Sequence, residues 1–273
     1  MQRHFAQVNT GQCLHTKNFY LVYKEVNMSD KVNILGVKIH KVSIEEAVEK
    51  IISFTNEDKV HTVFTPNSEM IMNAYRDENI KLILNNASML TADGIGVVKA
   101  AKIVKNPVKE RAAGYDISLK LMERMEKENK TLYLFGSKPQ VVKTAFDNLK
   151  KKHPALNIIG YSDGYFDKEK EKEIIKDINE KNPDVVFVCL GCPKQEKWIN
   201  DNKDNLSCRV LMGLGGCLDV YAGYVKRAPD IFIKLNIEWF YRLIKEPKRF
   251  IRMLDLPRFA MKVILHGRKF PQD

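Results

Sequence analysis

Apolar residues along this chain fall in short runs that alternate with longer segments of helical spacing. Residues 184–190 are apolar at every position after Asp184, which is typical of a strand buried on both faces. Six further short runs, rich in apolar and β-branched residues and followed by turn signals, also predict strands: 32–37, 61–65, 88–91, 131–135, 157–161 and 209–213. Helical spacing or capping signals predict helices that begin at Ser43, Ser68, Glu78, Ile95, Asp116, Pro139 and Lys168.

Strands that alternate with helices predict an α/β fold, a doubly wound and mainly parallel Rossmann-like sheet. Right-handed crossovers then place the loop after each strand along one edge of that sheet. The order of the strands stays open. With 273 residues, we expect a leader of unknown role over 1–27, an α/β core over 28–223 and a basic helical appendage over 224–273.

Glycine and polar residues concentrate in the loops that follow the predicted strands. These loops are Thr65-Pro66-Asn67, Asp93-Gly94, Gly136-Ser137, 191–196 and 213–219. Glycines there let backbone N–H groups approach a phosphate or a sugar closely. Because ligands of open α/β sheets bind at this edge, the pattern predicts a ligand site.

A dinucleotide site is the weaker alternative for these loops. The turn Gly213-x-Gly215-Gly216 has Leu218 where the Gly-x-Gly-x-x-Gly fingerprint requires its last glycine. No acidic residue follows the first βα turn at dinucleotide spacing either. A nicotinamide-dependent oxidoreductase is therefore disfavoured.

Three polar residues of these loops each have a structural and a chemical interpretation. Asp93 could form an Asx-turn or cap a helix, or it could be the general base that deprotonates an acceptor hydroxyl. Gln195 could cap a helix or bind a substrate. Arg111 could pair with a surface carboxylate or hold a leaving diphosphate.

The sequence contains little that indicates a metal-binding site or a redox-active cysteine pair. There is no Asp-x-Asp motif and no His cluster, so positive side chains and amide dipoles are expected to stabilise a leaving diphosphate without a metal or cofactor. Of the five cysteines, Cys189 and Cys192 have Cys-x-x-Cys spacing, but Cys189 lies inside a predicted strand. We interpret them as bystander thiols in a reducing cytoplasm.

The charge of the chain indicates an anionic partner. The formal net charge is +11, and residues 224–273 hold 12 Lys and Arg against 5 Asp and Glu. Residues 231–254 place Trp239 and Phe240 in an apolar helical stripe that Pro247 is expected to interrupt. This stripe could pack on the core, or it could lie on an anionic membrane with its aromatics at the headgroup boundary.

Nucleic acid is disfavoured as the partner because no nucleic-acid-binding motif accompanies the charge. No run of about 18 apolar residues predicts a transmembrane helix. When the protein is not on a membrane, a dimer could cover the apolar side of the appendage over 224–273, which we also call the tail.

Together these motifs closely resemble those of the WecG/TagA/CpsF glycosyltransferases, over roughly residues 33–258. The matching motifs are Thr65-Pro66-Asn67, Ala92-Asp93-Gly94-x-Gly96, Glu110-Arg111, Gly114-Tyr115-Asp116, Gly136-Ser137, Gly191-x-Pro193-Lys194-Gln195-Glu196, Gly213-x-Gly215-Gly216 with Asp219, Gly223, Arg227-Ala228-Pro229, Glu238-Trp239 and Tyr241-Arg242-Leu243. The chain is most similar to the TagA branch. Two departures, Asn236-Ile237 and Cys217-Leu218, touch the appendage and the nucleoside region.

The resemblance implies an inverting, metal-independent transfer of N-acetylmannosamine from UDP-ManNAc to undecaprenyl-diphosphate-linked GlcNAc, an early step in teichoic acid linkage-unit synthesis. Relatives that use UDP-ManNAc uronate or another UDP-sugar keep the donor open. The resemblance also implies a cytoplasmic enzyme, peripheral on the inner face of the cell membrane.

Carried over by position, the resemblance assigns catalytic roles to Asp93 as the base and to Thr65, Arg111 and Gln195. It assigns substrate binding to Asn67, Gly136, Ser137, Gly191, Gly215, Gly216, Asp219, Arg242, Arg249 and Arg252. The last three belong to an appendage that is expected to close over the site and hold the diphosphate.

Overall fold

A parallel sheet of six strands forms the centre of the protein. The computed structural model describes residues 28–229, 231–232, 238–245 and 254–272. An antiparallel hairpin comes first, with β1 (Lys31–Ile34) and β2 (Val37–His40). The parallel sheet contains β3 (His61–Phe64), β4 (Met89–Leu90), β5 (Thr131–Gly136), β6 (Asn157–Ser162), β7 (Val185–Cys189) and β8 (Val210–Gly213). Its strand order is β4-β3-β8-β7-β5-β6.

Helices cover both faces of this sheet. The helices whose bounds lie within the described residues are, in chain order, α1 (Ile44–Phe54), α2 (Ser68–Arg76), α3 (Glu78–Asn85), α4 (Ile95–Ile103), α5 (Gly114–Lys127), α6 (Pro139–Lys152), α7 (Lys168–Lys181), α8 (Lys194–Asn202), α9 (Cys217–Tyr221), α10 (Glu238–Lys245) and α11 (Asp255–His266). The apolar faces of α1, α5, α6 and α9 share one hydrophobic core, and those of α2, α3, α4, α7, α8 and α11 share the other. The doubly wound α/β fold predicted from the sequence is therefore confirmed.

The strands alternate their side chains between these two cores. In β5, Leu132 and Leu134 enter one core, whereas Tyr133 and Phe135 enter the other. All five residues of β7 are buried. The continuous apolar run in the sequence follows from this position, because both faces of a central parallel strand are covered by helices.

The single strand predicted over residues 32–37 is wrong. The chain reverses at Leu35 and Gly36, which adopt φ angles of 52° and 94°. The Oδ1 atom of Asn33 accepts a hydrogen bond of 2.9 Å from the N–H of Gly36 and holds the turn. The reversal is hidden in the sequence because Leu35, an apolar residue, occupies a left-handed position that glycine or asparagine usually takes.

Two predicted helix starts have different outcomes. Ser43 caps α1 in a reciprocal box with Glu46: the Glu46 N–H donates to Ser43 Oγ at 3.1 Å, and the Ser43 N–H donates to Glu46 Oε2 at 2.9 Å. The predicted start at Asp116 is wrong, because α5 begins at Gly114. Asp116 lies in the first turn, where its carboxylate has other partners, described below.

The C-terminal helix α11 packs onto the core. Its Phe259 side chain is 3% exposed. Arg76 of α2 forms a two-pronged ion pair with Asp255 at the start of α11. Beyond the helix, the amide of Gln272 donates to Asn33 O at 2.9 Å and accepts from the Asn33 N–H at 3.1 Å. These contacts tie the end of the chain to the β1–β2 hairpin.

A buried histidine joins the hairpin to the edge strand β4. His40 is 3% exposed, and its Nδ1 accepts a hydrogen bond of 3.0 Å from the Leu90 N–H. Burial, together with the nearby charge of Lys31, lowers the pKa of His40 to about 4. The imidazole is therefore neutral at pH 7 and must stay neutral to accept this bond.

We expect the protein to lose stability in mild acid through His40. The pKa of His40 in the folded protein lies below the ordinary value of 6.5. The contribution of neutral His40 to the free energy of unfolding is therefore complete above pH 6.5 and is lost as pH falls towards 4. The loss between pH 7 and pH 5 is about 2 kcal/mol. Urea unfolding of the wild type and His40→Asn measures it, because the asparagine Oδ1 can accept the same bond without titrating. Equal pH slopes in the two proteins would contradict this assignment.

Candidate active site

Apart from Arg242, the described residues that the sequence predicted for the site lie at or after the carboxyl ends of five of the parallel strands, or on a loop beside them. Thr65 and Asn67 follow β3, Asp93 follows β4, Gly136 ends β5 and Ser137 follows it, Gly191 and Gln195 follow β7, and Gly215, Gly216 and Asp219 follow β8. Arg111 lies on the loop between α4 and α5. The strand order places these loops along one edge of the sheet. We call this edge the rim.

The connections that follow β5 and β7 diverge, and we call the place between them on the rim the crevice. The connection after β5 leads outward to β6, whereas the connection after β7 leads back towards β8. Such a reversal is the usual ligand site of an open α/β sheet. At this point Gly136 has a φ of 128°, and a Cβ there would lie 2.4 Å from the carbonyl oxygen of Cys189. Only glycine permits this approach, which lets the Ser137 N–H donate to Cys189 O at 3.0 Å.

Two polar side chains converge beside this crevice. Ser137 Oγ donates a hydrogen bond of 3.2 Å to Asp219 Oδ2. Asp219 lies in α9, immediately after the glycine turn formed by Gly215 and Gly216. A hydroxyl next to a carboxylate offers both donor and acceptor capacity to a polar ligand such as a sugar ring. The pair joins the end of β5 to the segment after β8.

Gln195 joins the ends of β7 and β8. Its Oε1 accepts a hydrogen bond of 2.9 Å from the Gly215 N–H, and its Nε2 donates to Glu196 Oε1 at 2.7 Å. The side chain is 3% exposed. The N-cap of α8 is Pro193, so the alternative that Gln195 caps this helix does not hold. Gln195 instead holds the glycine turn against the loop that contains Gly191.

Asp93 lies at the opposite half of the rim, next to the Arg111 loop. The N-cap of α4 is Gly94, with a φ of 85°, so Asp93 precedes the helix and does not cap it. The Asp93 N–H donates to Pro66 O at 3.2 Å, which holds it against the loop after β3. The side chain is half-buried, as expected for a carboxylate at the wall of a cleft.

Arg111 is the centre of a charged cluster at this half of the rim. Its guanidinium donates to Glu238 of α10 and, at 3.0 Å, to Asp116 Oδ2, and the charge of Asp93 acts on it as well. Burial opposes the charge of Arg111, but the hydrogen bond to Glu238 and the three carboxylates outweigh burial and raise its pKa. Arg111 therefore connects the core to the tail helix.

Arg227 extends this cluster. It donates to the second oxygen of Asp116, and its guanidinium carbon lies 4.9 Å from the centroid of the Tyr115 ring. Asp116 thus joins two arginines. The sequence motifs contain Asp116, Arg227 and Glu238, but local pattern predicts no site role for them, because their partners are far apart in the chain and become neighbours only in the fold.

Thr65 and Asn67 begin the segment after β3. A Cβ on Gly114 would lie 2.7 Å from Thr65 Oγ1, so the glycine at the start of α5 allows the threonine to pack there. Asn67 caps α2: its Oδ1 accepts a hydrogen bond of 3.0 Å from the Met70 N–H. The side chain of Asn67 is exposed at the rim, so capping leaves its amide group accessible to a ligand.

The predicted tail arginines are only partly described. Arg242 belongs to α10, the helix whose Glu238 pairs with Arg111. Arg249 and Arg252 lie outside the described residues, as does Pro247.

The cysteines near the rim are free thiols. Cys189 and Cys192 form no disulfide in the structure. Burial raises the pKa of Cys189 to about 12, and burial followed by the negative charge of Glu196 raises that of Cys192. Because the thiolate is the form that ligates metals and attacks disulfides, these values support the interpretation of Cys189 and Cys192 as bystanders.

Comparison with known proteins links the rim to a family. Residues 32–272 match the model of the Glycosyl transferase WecG/TagA/CpsF family. The chain is 40% identical over 202 residues (74% of this chain and 78% of the relative) to a protein of Bacillus subtilis (strain 168). It is 35% identical over 251 residues (91% and 98%) to a protein of Staphylococcus aureus (strain MW2). Both relatives are named N-acetylglucosaminyldiphosphoundecaprenol N-acetyl-beta-D-mannosaminyltransferase.

Proposed function

The chain belongs to the WecG/TagA/CpsF family of glycosyltransferases, and from this premise we propose that it transfers N-acetylmannosamine from UDP-ManNAc to GlcNAc-diphosphoundecaprenol. The observation that carries the proposal is that relatives named for this transfer match the chain over 78% and 98% of their own length. The matched region contains every rim residue described above. The product would be an early intermediate in teichoic acid linkage-unit synthesis.

The donor would bind at the crevice between β5 and β7. At Gly191, Gly215 and Gly216 the space that a side chain would occupy is open, so that backbone N–H groups can approach the diphosphate, and Gly136 allows the close contact with Cys189 beside them. The Ser137–Asp219 pair would contact the hydroxyl groups of the nucleoside. In this arrangement the sugar points along the rim towards Thr65 and Asn67.

Asp93 would act as the general base. As the acceptor hydroxyl oxygen forms its bond to C1 of the donor sugar, the Asp93 carboxylate takes the hydroxyl proton. The C1–oxygen bond to the β-phosphate breaks at the same time, and its electron pair leaves with UDP. Attack opposite the leaving group inverts the anomeric centre.

Arg111 would stabilise the leaving diphosphate. A guanidinium has five N–H donors, and Arg111 uses two of its nitrogens for Glu238 and Asp116. The remaining donors would be available to a phosphate oxygen without release of these carboxylates. Arg242, Arg249 and Arg252 of the tail would add positive charge to the same diphosphate, which matters because charge develops there as UDP departs.

Two alternatives remain as outcomes of a donor assay. A family member could use another UDP-sugar, such as UDP-ManNAc uronate, because the described rim contacts would suit the UDP moiety of either donor. A nicotinamide-dependent oxidoreductase shares the doubly wound sheet, but no rim contact favours a dinucleotide over a UDP-sugar.

We also propose that the enzyme lies on the inner face of the cell membrane, where its lipid-linked acceptor is found. In the part of the chain that the structure describes, no helix has the length and hydropathy needed to cross a bilayer. On α10, the side chains of Trp239, Phe240 and Ile244 are 43%, 44% and 56% exposed. These apolar groups belong to the strongly basic region 224–273, a combination that suits an anionic lipid surface.

Replacing the base should abolish most turnover. We expect Asp93→Asn to lower UDP release from UDP-ManNAc, in the presence of a GlcNAc-diphosphate lipid, by about 100-fold or more, because a general base contributes this much. Asp204→Asn is the matched control, since Asp204 is exposed on the turn before β8, at the other end of that strand. A folded Asp93→Asn enzyme with undiminished release would exclude Asp93 as the base. Absence of release from the wild type with every UDP-sugar would refute the transferase itself.

Polar substitution on α10 should weaken membrane binding. Because α11 packs on the core, point substitutions test this role more cleanly than truncation of the tail. We expect Trp239→Ser/Phe240→Ser to reduce co-sedimentation with anionic vesicles by about tenfold or more, since two apolar groups no longer enter the lipid. Leu82→Ser, on α3, removes an apolar side chain that is 52% exposed and provides the control. Equal vesicle binding by all three proteins would disprove the role of α10.

A further inference from the structure

Glu196 is a completely buried carboxyl group directly behind the rim. Its side chain is 0% exposed, whereas glutamate is almost never fully buried without a partner. Its Oε1 accepts the hydrogen bond from Gln195 Nε2, and within the described residues its Oε2 has no partner at hydrogen-bond geometry. Burial raises the pKa of Glu196 and outweighs the hydrogen bond from Gln195, a backbone hydrogen bond and the nearby Cys192 thiol, all of which lower it. Such a group is costly to bury, so its retention calls for a role.

The geometry around Gln195 supplies that role. An amide has one oxygen, which accepts, and one NH₂ group, which donates. In the observed orientation the oxygen faces the Gly215 N–H and the NH₂ group faces Glu196. If the amide were rotated by half a turn, two donors would meet at Gly215 and two acceptors at Glu196. Glu196 and the Gly215 N–H therefore act together to fix which way the Gln195 amide faces.

The glycine turn at Gly215, which Gln195 holds through a hydrogen bond, belongs to the proposed donor site. Gly215 has a φ of 56°, and a Cβ on Gly215 or Gly216 would meet nothing within 4 Å, so the outer side of this turn is open. Asp219, whose carboxylate accepts a hydrogen bond from Ser137 Oγ, lies shortly after this turn, in α9. A shift of Gly215 would move both the turn and this pair.

We propose that Glu196 is a positioning residue that orients the Gln195 amide and through it holds the Gly215 turn in the conformation that binds the nucleotide of the donor. The expected effect of Glu196 on turnover rests on the proposed function, whereas its expected effect on UDP affinity does not. The role requires an acceptor at Oε1 and does not require a negative charge, since a neutral carboxyl or a carboxamide also has a carbonyl oxygen.

Substitutions at 195 and 196 separate this role from a purely structural one. We expect Glu196→Met, which keeps the volume but removes the acceptor, to weaken UDP binding and lower kcat/KM for the donor by about tenfold or more. Its Tm should stay close to that of the wild type, because loss of a costly buried carboxyl offsets the lost hydrogen bond. Glu196→Gln should recover most of the UDP affinity and kcat/KM. The KM for the acceptor should not change.

A double-variant cycle tests whether Glu196 acts through Gln195. Glu196→Met should have almost no further effect on UDP affinity in a Gln195→Met background, because the group that it orients is already gone. UDP affinity is measured by calorimetry and turnover by UDP release from UDP-ManNAc.

Three results would overturn the inference: normal UDP affinity in Glu196→Met, equal impairment in Glu196→Gln and Glu196→Met, or full additivity in the double variant. If the wild type binds UDP but transfers no sugar, the proposed function fails. The three UDP-affinity comparisons still decide the role of Glu196 in that case.

Discussion

The close approach of two backbone segments, after β5 and at the end of β7, is the constraint on which the site depends. At Gly136 there is no room for a side chain, because the carbonyl of Cys189 occupies the space that a Cβ would need. Since the chain then turns outward after β5 and inward after β7, this contact lies where the two loops diverge. Ser137 is placed against Asp219 as a result.

A chain of hydrogen bonds extends this constraint along the rim. Asp219 follows the glycine turn, the turn is held by Gln195, and Gln195 is oriented by the buried carboxyl of Glu196. The segments after β5, β7 and β8 are thus joined by polar contacts. A rim that is connected in this way would keep the proposed donor site in place before a ligand arrives, which would lower the ordering cost of binding.

The other half of the rim is organised by charge. Arg111 donates hydrogen bonds to the carboxylates of Asp116 and Glu238, and it interacts electrostatically with the carboxylate of Asp93. Since Glu238 belongs to α10, the position of the tail helix depends on the same guanidinium that is proposed to hold the diphosphate. The proposed membrane contact of α10 and the proposed chemistry at Asp93 would therefore be linked through Arg111, a connection that would favour turnover where the acceptor is found.

Much of this architecture follows from local sequence patterns. The uninterrupted apolar run of β7 predicts a strand covered on both faces, and the polar residues after it mark the rim. The β1–β2 hairpin could not be predicted, because apolar residues flank a turn in which Leu35 has a positive φ. Glu196 lies between Gln195 and Lys197 and suggests a solvated helix face, although its spacing of three from the buried Ile199 was a signal of burial. The partners of Arg111 depend on contacts between distant segments, which local pattern does not contain.

The central claim is that the segments after β5, β7 and β8 form one nucleotide site. Hydrogen exchange of backbone amides, measured with and without UDP, tests this claim most directly. The account predicts slower exchange at residues 136–138, 191–196 and 214–219 when UDP is bound, with little change in α7 or in the β1–β2 hairpin. Protection confined to other segments, with these three unchanged at saturating UDP, would contradict it.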